Sequence, residues 1–177
     1  MLYYNKMTTD KITMGVNSAF TSHNHQHCIE DALITAAQLC NVKGARLTPL
    51  RAHVLQLVWS SHKPLGAYAL MDLLKQAQTE QGGNTKSVAP PTVYRALDFL
   101  LEQGLVHRLN SLNAFIGCCE PNQKHSGHFF ICSSCENTEE ILSPQLAKAI
   151  NRSAKSAGFT VEHEVIEIVG LCPACEE

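Results

Sequence analysis

Apolar positions in residues 29–104 fall into four stripes of helical spacing, and two short apolar runs follow; this order predicts helices first and a hairpin after them. In the first stripe Ile29, Leu33, Ala36, Ala37 and Cys40 recur every three or four residues, and Gly44 follows as the stop. Thr48 and Pro49 read as an N-cap with proline at the first helical position, ahead of a stripe of Leu50, Val54, Leu57 and Val58 that ends near Ser60. Gly66 opens a third helix with Leu70, Leu73, Leu74 and Ala77 inward, which leaves Tyr68 and Asp72 off the stripe. Residues 79–89 read as a loop. The fourth helix, over residues 92–103, turns Val93, Ala96, Leu97, Leu100 and Leu101 to one side and Tyr94, Arg95 and Asp98 to the other, and Gly104 ends it. Residues 105–109 and 114–118 are then strands, joined by the turn-rich Asn110-Ser111-Leu112-Asn113. Helices followed by a hairpin are the winged helix-turn-helix pattern, whose last helix before the wing enters the major groove.

The pattern changes in the remainder. Residues 128–132 and 138–142 predict strands, and Ser143-Pro144 caps a helix with Leu146, Ala149, Ile150 and Ala154 inward, closed by Gly158. A long last strand is expected over residues 159–169, with inward and outward sets that swap near Val165, as at a bulge or in a strand covered on both faces. Residues 1–27 are polar and aperiodic. The expected organisation is α+β: a flexible leader at 1–27, a winged-helix domain at 28–118 and a small α/β domain at 119–177. The last is small enough to need a second copy to bury its apolar surface.

Composition fits a globular chain of one or two domains, with 45% hydrophobic and 17% charged residues. No run of about 18 apolar residues exists to span a bilayer, and the first residues lack a signal-peptide pattern, so a cytoplasmic location is expected. The net charge of −2 is unevenly spread: residues 41–112 hold eight Lys/Arg against four Asp/Glu, and residues 113–177 hold four against nine. A basic half joined to an acidic half suggests a division of labour. Lys43, Arg46, Arg51, Lys86 and Arg108 are the candidate phosphate contacts, and Arg95 can reach a guanine edge with two hydrogen bonds. Tyr68 is a candidate for a base methyl or a phosphate.

Eight cysteines include two Cys-x-x-Cys pairs, Cys132/Cys135 and Cys172/Cys175, with 36 residues between them. Each pair lets two thiolates face one ion, and two pairs complete a closed tetrahedral zinc shell, which is structural and not catalytic. The alternative is a redox pair at Cys172-Pro173-Ala174-Cys175, but it lacks the strand-then-helix context of such motifs. A second ligand set gathers near the junction of the halves: His107, Cys118, His125 and Glu140. One thiolate, two imidazoles and one carboxylate suit zinc better than iron or manganese. Two of these residues lie in the hairpin and two beyond it, so closing the shell would fix the angle between the halves. His23, His25, His27 and Cys28 form a further run in the leader that reads as incidental composition. A zinc deaminase would carry His-x-Glu ahead of Pro-Cys-x-x-Cys, and this chain has neither in that form.

Arg46-Leu47-Thr48-Pro49-x-Arg51, the string Pro90-Pro91-Thr92-Val93-Tyr94-Arg95-Ala96-Leu97, and the two knuckles in this order resemble the ferric uptake regulator superfamily, specifically its zinc uptake regulator branch. The resemblance covers about residues 30–177. It implies a homodimeric, zinc-dependent repressor that binds AT-rich inverted-repeat operators before zinc-import genes. It also implies a structural zinc on Cys132, Cys135, Cys172 and Cys175, a sensing zinc on His107, Cys118, His125 and Glu140, and base contacts from Tyr68 and Arg95. The His-rich run of iron-type members is reduced here to His125-Ser126-Gly127-His128. Cys119 leaves the choice of sensing thiolate open, although strand alternation puts it opposite Cys118, and His128 with His163 is a minor candidate for a third site. The alternatives are an iron- or peroxide-responsive regulator on the same fold, or a zinc-ribbon interaction module without DNA binding.

Overall fold

The computed structural model describes residues 19–21, 24–80, 89–123 and 125–176. His23 and Lys86, and most of the expected loop at 79–89, lie outside them. The order of elements is α1 (His25–Val42), α2 (Pro49–Val58), α3 (Ala67–Glu80), α4 (Pro90–Glu102), β1 (Val106–Leu109), β2 (Ala114–Gly117), β3 (Gly127–Cys132), β4 (Thr138–Glu140), α5 (Pro144–Ser156) and β5 (Val165–Gly170).

The expected caps form. The Thr48 side chain accepts from the Arg51 amide and Ser143 accepts from Leu146, each worth about 1 kcal/mol of helix stability. Gly104 ends α4 at φ +73°, a backbone conformation without cost only for glycine. Helix α1 begins at His25, earlier than Ile29, because the Asn24 side chain caps it by accepting from the Gln26 amide. His25 and His27 therefore stand on a helix and not in an aperiodic leader. Ala37, expected inward, is exposed, and Leu39 packs on the core instead.

Helices α1 to α4 share one core, in which Ala36, Cys40, Val54, Val58, Leu70, Leu74, Val93, Leu97 and Leu100 are buried. Each fully buried aliphatic side chain contributes about 1.5–3 kcal/mol. Leu55, Met71 and Phe99 join them, beyond the stripes read from the sequence. The β1–β2 hairpin pairs antiparallel from Val106↔Gly117 to Leu109↔Ala114, and Leu65 bridges to Phe115 at its outer edge. This is the winged helix.

The second half is a three-stranded sheet in the order β4-β3-β5, antiparallel at β3–β4 and parallel at β3–β5, with α5 as the crossover. The last strand pairs over Val165–Gly170, one residue past its expected end, and residues 159–164 are irregular, so the swap in pattern at Val165 marks where the strand begins. None of the α5 positions expected inward is fully buried, because one chain covers that face only halfway. A small second core of Leu109, Ile116, Phe129 and Ile131, with Val165 against it, joins the hairpin to the sheet. The Thr138 amide also donates to the His62 carbonyl at 2.9 Å, a second link between the halves.

Candidate metal centre

Two groups of ligand-type side chains converge among the described residues, and each has its donor atoms within 4.8 Å of one another: Cys132, Cys135, Cys172 and Cys175 in one, His107, Cys118, His125 and Glu140 in the other. Both sets were legible in the sequence.

The thiol set sits where β3 and β5 end side by side, with Cys132 in register with Gly170. Each knuckle turns back on itself, with the Glu136 amide donating to the Cys132 carbonyl and the Cys175 amide to that of Cys172. Glu136 takes up φ 64° in the first turn. The Cys172 amide also points at Cys132 Sγ, at 3.4 Å. Amides of Cys135 and Cys172 aimed at that sulfur favour its thiolate and lower its pKa to about 6. Sγ atoms of Cys135 and Cys172 lie 3.8 Å apart. A disulfide requires about 2.05 Å, whereas a tetrahedral shell with bonds of about 2.3 Å has edges of about 3.8 Å. The spacing suits a closed four-thiolate metal shell and not a disulfide.

In the mixed set, His107 comes from β1 and Cys118 from the residue after β2, so pairing of the hairpin puts both at its base. His125 precedes β3, and Glu140 ends β4. Glu140 Oε1 lies 2.7 Å from His125 Nε2 and 2.8 Å from His107 Nε2, and Cys118 Sγ lies 3.6 Å from His125 Nε2. The second carboxylate oxygen accepts from the Cys119 amide at 2.9 Å, and His125 Nδ1 stands 2.8 Å from the Gln123 carbonyl, which fixes the ring so that Nε2 faces inward. His107 Nε2 is buried and has no hydrogen bond despite its short contact with Glu140. A buried ring nitrogen left without a hydrogen bond beside a thiol, a second imidazole and a carboxylate suits a shared metal.

Electrostatics separate the two adjacent thiols. Burial raises the Cys118 pKa, but the neighbouring imidazoles of His107 and His125 outweigh it and the net shift is downward. Crowding of protein around the Cys119 sulfur raises its pKa as well, although the residue as a whole is open to solvent, and the negative charges of Glu140 and Cys118 push it further up. Cys118 is buried and Cys119 exposed, opposite sides as expected although both lie just past the end of β2, so the ready thiolate is Cys118. For His107, burial acts downward, yet Cys118 and Glu140 prevail and raise it to about 9. Cys118 and then Glu140 raise His125 to about 11. Glu140 is held well below the usual carboxylate range by His107 and His125, against its burial.

His128 does not meet His163. It is 2% exposed, its Nε2 lies 2.7 Å from Glu164 Oε1, and the Ser126 hydroxyl donates to the other oxygen, while His163 is exposed. Sequence reading missed Glu164, and also Glu167, whose carboxylate takes hydrogen bonds from the hairpin turn. Its signal is a charged residue in the middle of the apolar run Val165-Ile166-Glu167-Ile168-Val169.

On the helical half Tyr68 is 74% exposed at the start of α3, and Arg95 is exposed on α4 beside the half-exposed Tyr94. Several of the expected phosphate contacts have internal partners. Arg51 stacks on Phe99, with its guanidinium carbon 3.5 Å from the ring centroid. Lys43 donates to the Gln103 carbonyl and Arg108 to Asn113. No described helix is long and apolar enough to cross a membrane.

The ferric uptake regulator family profile matches residues 42–169. The zinc uptake regulation protein of Escherichia coli (strain K12) is 39% identical over 149 residues, 84% of this chain and 83% of that protein. The peroxide-responsive repressor PerR of Staphylococcus aureus (strain USA300) is 25% identical over 155 residues, 86% of this chain and 94% of that protein. A zinc uptake regulator solved in complex with zinc and DNA superimposes with a TM-score of 0.74 at 37% identity, over 88% of this chain and 97% of the other. The holo form of XcZur gives 0.72 at 39% identity, over 81% and 96%. With most of its length matched by the profile, and with the winged helix and paired knuckles in place, this chain belongs to the ferric uptake regulator family.

Proposed function

We propose that this chain is a zinc-responsive transcriptional repressor, cytoplasmic and not an enzyme, that binds double-stranded operator DNA as a metal-loaded homodimer and represses zinc-uptake genes. The observation that carries the reading is the convergence of one sulfur, two nitrogens and one carboxylate oxygen at the joint between the two halves. The zinc-and-DNA complex of a similar regulator supports it.

In this reading Cys132, Cys135, Cys172 and Cys175 hold a structural zinc that keeps the second half folded. Bound at His107, Cys118, His125 and Glu140, zinc supplies one centre to which donors from both halves are tied. His107 and Cys118 hold the base of the hairpin, and His125 and Glu140 hold the sheet, so the reading helix α4 takes a fixed attitude. In a dimer that attitude sets the distance between two reading helices, and a pre-set distance leaves less ordering to be done on the operator. The open edge of β5 and the half-covered face of α5 offer the surface for a second copy, with Ile168, Val169 and Leu171 exposed there. Tyr68 and Arg95 would read bases, and an AT-rich inverted repeat would match the two-fold symmetry.

The peroxide-responsive relative keeps an iron- or peroxide-sensing role in view, but a sulfur ligand at the joint favours zinc. Gel-shift titration with free zinc tests the proposal. Zinc-dependent binding to one sequence in excess of random DNA is expected, and equal binding with and without zinc would refute it.

A further inference from the structure

The tip of the hairpin is held as well as its base. Glu167 lies in mid-β5 in register with Phe129, and partners in register share a face, so its side chain belongs to the face that carries the small core under the hairpin. A carboxylate there loses hydration and needs donors in compensation. It has three. The Asn110 amide donates to Oε1 at 2.6 Å, and the Ser111 amide to Oε2 at 3.1 Å. The Ser111 hydroxyl donates to Oε2 too. Two successive amides of a turn aimed at one anion form a nest, a geometry that binds carboxylate through fixed partial charges. Burial acts to raise the Glu167 pKa, but these donors outweigh it and hold the group ionised.

We propose that Glu167 is a positioning residue that clamps the hairpin tip at Asn110 and Ser111 onto β5, which makes the hairpin a strut between the halves and not a free arm over DNA. The inference rests on the operator-binding reading above. A body tied at one end can still swing about that point. The metal set ties the hairpin at His107 and Cys118, and Glu167 ties it again at the turn, three to four residues beyond His107 and about 10–13 Å away at strand rise. A slack of about 1 Å over that lever tilts the winged helix by about 5°, which in a dimer is felt at two half-sites about 34 Å apart.

The experiment compares Glu167→Asp with Glu167→Gln in the full-length, zinc-loaded protein. The first keeps the charge but is one methylene too short to reach both amides; the second keeps the length but loses the charge. The DNA probe is a duplex selected from random sequence by the wild-type protein with zinc. Both variants should keep the wild-type zinc content and chelator-competition affinity, and should bind the probe about tenfold more weakly, within the range by which single residues alter coupling. Ser111→Ala should weaken binding less, and should add nothing to Glu167→Asp if the two act through one contact. Amide exchange at Asn110 and Ser111 should quicken in both Glu167 variants. Wild-type affinity in Glu167→Asp, or tighter binding in Glu167→Gln as expected of a carboxylate that only repels phosphate, would overturn the clamp. If the wild-type protein selects no duplex, the operator reading fails on its own, and unchanged exchange at Asn110 and Ser111 in Glu167→Asp then overturns the clamp separately.

Discussion

Glu140 Oε1 stands 2.8 Å from His107 Nε2 without a hydrogen bond between them, and the two side chains come from opposite halves of the chain. The contact is a join that only a shared partner completes, and it makes the joint the place to break the switch.

Cys118→Ser replaces the buried sulfur with a much poorer zinc ligand and leaves the four-thiol set intact. The variant should stay folded, bind one zinc per chain in place of two, and lose zinc-dependent operator binding. Metal content by atomic emission and a gel shift at fixed free zinc check it; operator binding at the wild-type zinc level would remove Cys118 from the sensing set. Cys119→Ser should change neither, because Cys119 is exposed and its thiol is held protonated.

Acid should weaken the sensing site. In the metal-free protein the imidazoles of His107 and His125 keep their protons up to about 9 and about 11, and zinc binds only the neutral ring. Binding at neutral pH therefore displaces the imidazole protons, and the apparent zinc affinity rises with pH. Calorimetry in buffers of different ionisation enthalpy measures the released protons directly. An affinity independent of pH between 6 and 8 would contradict the arrangement.

Arg95→Ala should cost about 1–3 kcal/mol of specific operator affinity with little change in binding to random DNA. The side chain is exposed on α4, so the fold should not suffer. A footprint unchanged in position and strength would take Arg95 out of the reading set.

Gly117→Ala should destabilise the hairpin. A methyl group there would lie 2.2–2.6 Å from three atoms of the Trp59 indole, which is no flexible tip. Overpacking of this kind costs about 1–3 kcal/mol. The melting temperature should fall, and the emission of the chain's single tryptophan should shift.

Much of this was legible in the residues because the signals are local. Thr48-Pro49 and Gly104 act over a few positions, and each appears where the pattern puts it. The two ligand sets were legible by type, and the pairing of β1 with β2 and of β3 with β5 is what brings them together. What was missed depends on cover supplied by distant elements. Phe99 looked off-stripe until Arg51 closed over it, and α5 looked core-facing although one chain leaves that face half open. Glu164 and Glu167 acquire their meaning from residues 36 or more positions away, which no periodicity reports.

The parallel register of β3 and β5 carries a consequence for how faithfully the chain assembles. Cys132 stands beside Gly170 at the strand ends, and Cys172 lies two residues further on. A slip by one residue would send alternate side chains of β5 to the wrong side of the sheet and carry the second cysteine pair away from the first. Capture of an ion by all four sulfurs thus certifies correct alignment: a misthreaded chain forgoes the bond energy that a properly threaded one collects, and metal supply becomes a proofreader of folding.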